Sequence, residues 1–181
     1  MKIINADVEF ITPIDGDVIL KRLEQCGRVC YKSESNITDT SSQKFIAGII
    51  KRGHEAVLEH CSFTVKFICD RGVSHEIVRH RLAAYCQEST RYCCAMAERQ
   101  YLYMLECGAT PQEARSVLPN SLKTEVVMTA DIREWRHFLK LRCSPAAHPQ
   151  MREVAMILLD KVHSLIPICF DDIWGEYHEQ S

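Results

Sequence analysis

An α/β fold in a single domain (residues 1–181) is what this sequence predicts, and three observations carry the expectation. The stretch from Cys61 to Cys69 alternates apolar and polar side chains with the period of a half-buried strand. Several other stretches repeat apolar residues at the helical period. The two kinds of segment alternate along 181 residues, enough for a substantial core, with no repeat, low-complexity tract or linker between them.

In chain order, Lys2 to Phe10 is expected to form a first strand, with Ile4, Ala6, Val8 and Phe10 on one face. Thr12-Pro13 and Asp15-Gly16-Asp17 signal a turn. Val18 to Tyr31 is helical, its stripe made by Ile19, Leu20, Leu23, Cys26, Val29 and Cys30. The polar run from Lys32 to Ser42 is a loop. A second helix covers Ser42 to Arg52, burying Phe45, Ile46, Ile49 and Ile50, and Gly53 stands just past its end. The segment GHEAVLEH, with His54, Glu59 and His60, suits either a polar turn or a site.

In the strand that follows, Cys61, Phe63, Val65, Phe67 and Cys69 share one face. Asp70-Arg71-Gly72 breaks it, and Ser74 is expected to cap a helix carrying His75, Glu76, Val78 and the triplet Arg79-His80-Arg81. After Cys94 the pattern weakens, and Tyr101 and Tyr103 suggest a short strand. Thr110-Pro111-Gln112-Glu113 has the residues of a capping box, with proline in the first turn. Thr124 to Thr129 is strand-like. Asp131 to Arg142 is a basic amphipathic helix, expected to pack inside the domain. Pro149 opens a long helix through Leu165, which Pro167 is expected to end. The tail then packs through Phe170, Ile173 and Trp174.

A net charge of −2 argues against a general nucleic-acid binder. No apolar run reaches the length of a membrane span. The start, MKIINADVEF, lacks the apolar core of a signal peptide, so a cytoplasmic protein is expected. The ten cysteines then read as reduced, small hydrophobes. A soluble metalloprotein is the rival account, but the CxxC spacing of strong zinc sites is missing, and no metal is expected.

Against this background the stretch RHRLAAYCQESTRY, Arg79 to Tyr92, stands out: it sets three guanidiniums against one carboxylate, Glu88. A solvated helix face would mix the two signs. Guanidinium is suited to planar, bidentate recognition of phosphate and never loses its charge. The stretch therefore reads as an anion site for a phosphorylated ligand, with plain surface charge as the alternative.

The ordered pattern resembles the signature of the flavin-dependent thymidylate synthases: an RHR triplet, two free positions, Ser, a free position, Asn-Glu, a free position, Ser, a free position, Arg-Tyr. Here the triplet is Arg79, His80 and Arg81, and the closing residues are Ser89, Arg91 and Tyr92. Ala84, Cys86 and Gln87 depart from the interior of the pattern. The resemblance begins near RVCYKSE (Arg28 to Glu34) and takes in GHEAVLEH.

It implies a mixed α/β sheet flanked by helices, a homotetramer with sites shared between subunits, and reductive methylation of deoxyuridine monophosphate (dUMP) to thymidylate. Methylenetetrahydrofolate would give the carbon, and FAD, reduced by NADPH, the hydride. The resemblance further implies nucleotide contacts at Glu76, Arg79, Gln87, Ser89, Arg91, Arg115 and Arg142. It implies flavin or folate contacts at Cys30, His54, Glu59, Arg79, His80, Arg81, Asp131, Arg133, His137 and His148. Arg142 would grip the uracil ring and stabilise charge at its carbonyl oxygens. Ser89 would orient substrate without a covalent bond, since no adjacent base is evident. The alternative is a non-catalytic nucleotide- or flavin-binding homologue that keeps the phosphate grips and has lost the redox role.

Overall fold

The computed structural model describes residues 4–88 and 95–178. Its strands are β1 (Asp7–Phe10), β2 (Ser62–Asp70), β3 (Ala83–Gln87) and β4 (Lys123–Asp131), in one sheet of order β1-β2-β4-β3. Every pairing is antiparallel, which corrects the expected mixed sheet. The reason lies in the order. β2 and β3 run in the same direction, but β4 inserts between them and faces both.

The β2–β4 ladder runs from Ser62 opposite Asp131 to Asp70 opposite Lys123. Its apolar face is the one the alternation predicts, with Phe63, Val65 and Phe67 buried beside Val126 and Met128. Helix α6 (Ile132–Arg142) lies on it. Trp135 of α6 stacks on Phe63 at 5.1 Å and 12°, while Phe138 meets Phe67 at 5.8 Å. Beside it α7 (Pro149–Leu165) buries Val154 and Leu158, and α8 (Pro167–His178) buries Phe170 and Ile173. Two further helices, α1 (Gly16–Tyr31) and α2 (Ser41–Lys51), complete that layer through Leu20, Leu23, Ile46 and Ile49.

The other face carries a run of ion pairs. Lys66 meets Glu9 at 2.6 Å, and Lys123 meets Glu125 at 2.6 Å and Glu88 at 3.0 Å.

Some predicted boundaries hold and others move. The capping box at Thr110 forms, opening the short α5 (Pro111–Ala114). Helix α3 (Arg71–Ile77) is capped by Asp70, whose Oδ1 accepts from the Val73 amide at 2.7 Å. Ser74 lies buried inside that helix, not at its start, with its hydroxyl on the Arg71 carbonyl. Because α3 ends at Ile77, the Arg79-His80-Arg81 triplet occupies the turn before β3 and not a helix. Where a short strand was expected there is α4 (Ala95–Glu106). Its Ala, Met, Glu, Gln and Leu are strong helix formers and outweigh the two tyrosines. Pro167 starts α8 and does not merely end α7: at a first helical position the missing N–H would have no partner.

Cys61, Cys69, Cys143 and Cys169 are buried, and no disulfide joins the described cysteines. Burial pushes the thiols of Cys69, Cys143 and Cys169 up to about 12. Among the described residues no helix is long and apolar enough to cross a membrane.

Candidate functional site

The site is built where β4 ends and α6 begins. Asp131 closes the strand and caps the helix, its Oδ1 accepting from the Glu134 amide at 2.8 Å. From there Glu134, Phe138 and Arg142 follow at intervals of four, so one helix face presents all three. The turn that leaves α3 lies against this face. His80 reaches inward from the turn and is 5% exposed, its ring 4.9 Å from Phe138. Tyr85, on the inner side of β3, holds the turn from below, its hydroxyl lying within hydrogen-bond reach of the Ile77 and His80 carbonyls.

Both nitrogens of His80 are committed. Arg142 donates its Nε–H to His80 Nε2 at 3.1 Å, and His80 Nδ1 lies 3.0 Å from Glu134 Oε1. A guanidinium only donates, so Nε2 must carry the lone pair. The proton is therefore on Nδ1, donated to Glu134, and the ring is neutral. Burial pushes the imidazole pKa below its ordinary value, Glu134 opposes that, and the Arg142 charge reinforces it. His137 is exposed one turn along α6, and its ring lies 5.6 Å from His80. Ligand atoms of His80, Glu134 and His137 lie within 4.8 Å of one another. With both His80 nitrogens engaged, the trio has no free imidazole lone pair from that ring to offer a metal.

Arg142 is 9% exposed. Its Nη1 donates to the Glu76 carboxylate at 2.6 Å and its Nη2 to the Glu76 carbonyl at 3.0 Å. One N–H remains on each terminal nitrogen. Burial lowers the Arg142 pKa, Glu76 opposes this, and the Arg79 charge adds to it. Arg79 and Arg81 themselves are exposed, and neither forms an ion pair among the described residues.

A second group lies near the same end of the sheet, where Ser62 pairs with Asp131. Exposed Glu59 pairs with exposed Arg133 of the first α6 turn. His54 Nδ1 lies 2.6 Å from the Tyr31 hydroxyl, with the two rings 18° from parallel. Cys30, next to Tyr31, is exposed, as is His148 at the start of α7.

Two more of the expected site residues are Gln87 on β3 and Arg115 before β4. Gln87 pairs with Val126, which is level with the Phe67 that Phe138 meets, and its Nε2 donates to the Ser74 hydroxyl at 2.9 Å. Ser74 belongs to α3, the helix whose Glu76 holds Arg142, so Gln87 is tied to the same helix as Arg142. Arg115 is half-buried in the turn that leads toward Lys123, the first residue of β4. Ser89 and Arg91 lie outside the described residues.

Sequence reasoning missed Glu134, Tyr85 and Tyr31. Glu134 carries a signal: a carboxylate between Ile132 and Trp135, eight positions before Arg142, falls on a buried helix face. Nothing local marks Tyr85, whose partners come from the turn.

The family model described as thymidylate synthase complementing protein matches residues 19–100 and 93–168. Among curated relatives, the flavin-dependent thymidylate synthase of Geobacter sulfurreducens is 31% identical over 183 aligned positions, covering 80% of this chain and 78% of its own. That of Pyrococcus furiosus is 31% identical over 167 positions, covering 75% and 68%. That of Mycobacteroides abscessus is 30% identical over 210 positions, covering 92% and 83%.

Proposed function

The chain belongs to the thymidylate synthase complementing protein family, the flavin-dependent thymidylate synthases, and on that premise we propose that it converts dUMP to thymidylate by reductive methylation. The observation that carries the reading is the Arg79–Arg81 turn. Two exposed guanidiniums, without acid partners among the described residues, flank a buried neutral imidazole, which in turn fixes a third guanidinium. Exposed arginines fit the pyrophosphate of a flavin dinucleotide and the phosphate of a nucleotide.

Arg79, Arg81, Arg133 and His54 would hold FAD, with Cys30, Glu59, His80, Asp131, His137 and His148 around it. When bound, the flavin supplies the hydride, NADPH reduces it, and methylenetetrahydrofolate supplies the carbon. The protein binds and orients. Glu76 and His80 grip Arg142 on two sides, so its remaining N–H groups are fixed in direction. Charge that develops on the uracil carbonyl oxygens is stabilised by such a preset donor without reorganisation. Ser89 orients the substrate and forms no bond to it.

With the family reading go a homotetramer in which a neighbouring copy completes each site, the single-domain thymidylate synthase fold and a place in the cytoplasm. Sedimentation of the purified protein tests the assembly, and a monomer would remove the shared-site reading.

The reaction is tested by the flavin spectrum. The purified protein is expected to be yellow, with an absorbance band that shifts when dUMP is added. A colourless protein that takes up no flavin yet binds dUMP would instead establish the non-catalytic binder.

A further inference from the structure

Outside the site described lies a cleft of about 610 Å³ between α1 and α2, and its chemistry is that of an anion receptor. Three cations line it: Arg28, Lys44 and Arg52. Arg28 is already spoken for. Its Nε and Nη2 donate to the buried Glu24 carboxylate at 3.1 and 2.8 Å, and it lies 4.4 Å above the Phe45 ring. Lys44 and Arg52 are exposed, and neither forms an ion pair among the described residues. The cleft thus keeps two uncompensated positive charges.

Two details show a shaped pocket rather than a basic patch. Gly48 lies mid-helix in α2, where glycine costs about 1 kcal/mol relative to alanine. A side chain there would start only 3.3 Å from Arg52 Nη1, so the bare position leaves room for that guanidinium to lie back over the cleft. The Ser33 hydroxyl, on the cleft wall, is buried without a hydrogen-bond partner. An orphaned hydroxyl of this kind is uncommon.

Tyr31 lines the cleft and is also the residue bonded to His54. One residue thus forms part of the cleft wall and touches His54, so a molecule seated by its ring at His54 would lie next to the cleft. We propose that the cleft binds the anionic end of a ring-bearing cosubstrate, as carboxylates or a phosphate ester held by Lys44 and Arg52. This rests on the thymidylate synthase reading only for the identity of the cosubstrate. Two sources share the chemistry: the glutamate tail of the folate and the ribose 2′-phosphate of NADPH.

The experiment is calorimetric titration of the whole protein with two probes, tri-γ-glutamate and adenosine 2′,5′-bisphosphate. It is run on the parent and on a Lys44→Gln/Arg52→Gln double variant, both positions being surface-exposed. One probe is expected to bind the parent and to weaken on the order of tenfold or more in the variant. Which probe does so identifies the source. If neither binds the parent, or if both proteins bind equally, the proposal is overturned. The flavin band of the same samples reports separately on the reaction: yellow protein without probe binding sinks only the cleft, and colourless protein with probe binding sinks only the reaction.

Discussion

Helix α6 carries two buried arginines six residues apart, and they are used in opposite ways. Arg136 is 1% exposed and faces α8. It makes a two-pronged pair with Asp172 at 2.8 and 2.7 Å, adds Glu55 at 3.2 Å, and also donates to the Cys169 carbonyl. Its charge is answered twice over by carboxylates from two elements. Arg142 has one carboxylate, one neutral imidazole, and a second guanidinium nearby. The first arrangement joins α6, α8 and the 3-10 turn Glu55–His60 into one body. The second holds a cation in place and leaves it under-neutralised, as an anion site requires.

The largest expected effect tests the joining role. Arg136→Met should lower stability by about 3 kcal/mol, read from the urea midpoint. That is the low end for a broken buried pair, because Asp172 and Glu55 keep contact with water. Nucleotide affinity should be unchanged once the protein is folded, and an equal loss of binding would erase the contrast. Arg142→Ala should do the reverse, weakening dUMP binding by roughly 1.5–3 kcal/mol. Unaltered affinity there would mean that Arg142 serves only the fold.

A subtler effect comes from His80. Its folded pKa is depressed below 6.5 by burial, so the unfolded chain takes up a proton first as pH falls. The stability is fully present above 6.5 and declines as pH drops through 6.5 toward the folded value. The thermal midpoint should fall over that interval, and less so in His80→Gln. Glu134→Gln removes the influence that raises the His80 pKa, and imidazole NMR should show its titration moving to lower pH. The smallest expected change is at the exposed Glu59–Arg133 pair. Arg133→Ala should leave the thermal midpoint in place and speed flavin loss on dialysis. A drop in the midpoint would make that pair structural too.

Much of the fold was legible because its signals are local. The alternation at Cys61–Cys69, the capping box at Thr110 and the proline start at Pro149 each need only neighbouring residues. What failed depended on partners far away. The Arg79-His80-Arg81 turn is held by Tyr85 and α6, so its departure from helix leaves no local trace. The antiparallel sheet depends on β4 inserting between β2 and β3, an event about forty residues later in the chain than β3's own start. Of the site, arginine chemistry exposed the cations, but the acid that orients His80 was hidden among core residues.

The buried sulfurs have a practical consequence. A thiol protonated up to about 12 reacts sluggishly with alkylating reagents, whereas Cys30, Cys86 and Cys107 meet solvent. Among the described cysteines, mild iodoacetamide should mark those three and spare Cys69, Cys143 and Cys169 until the chain opens. The protein thus carries an internal counter of its own unfolding, readable by mass spectrometry one carbamidomethyl group at a time.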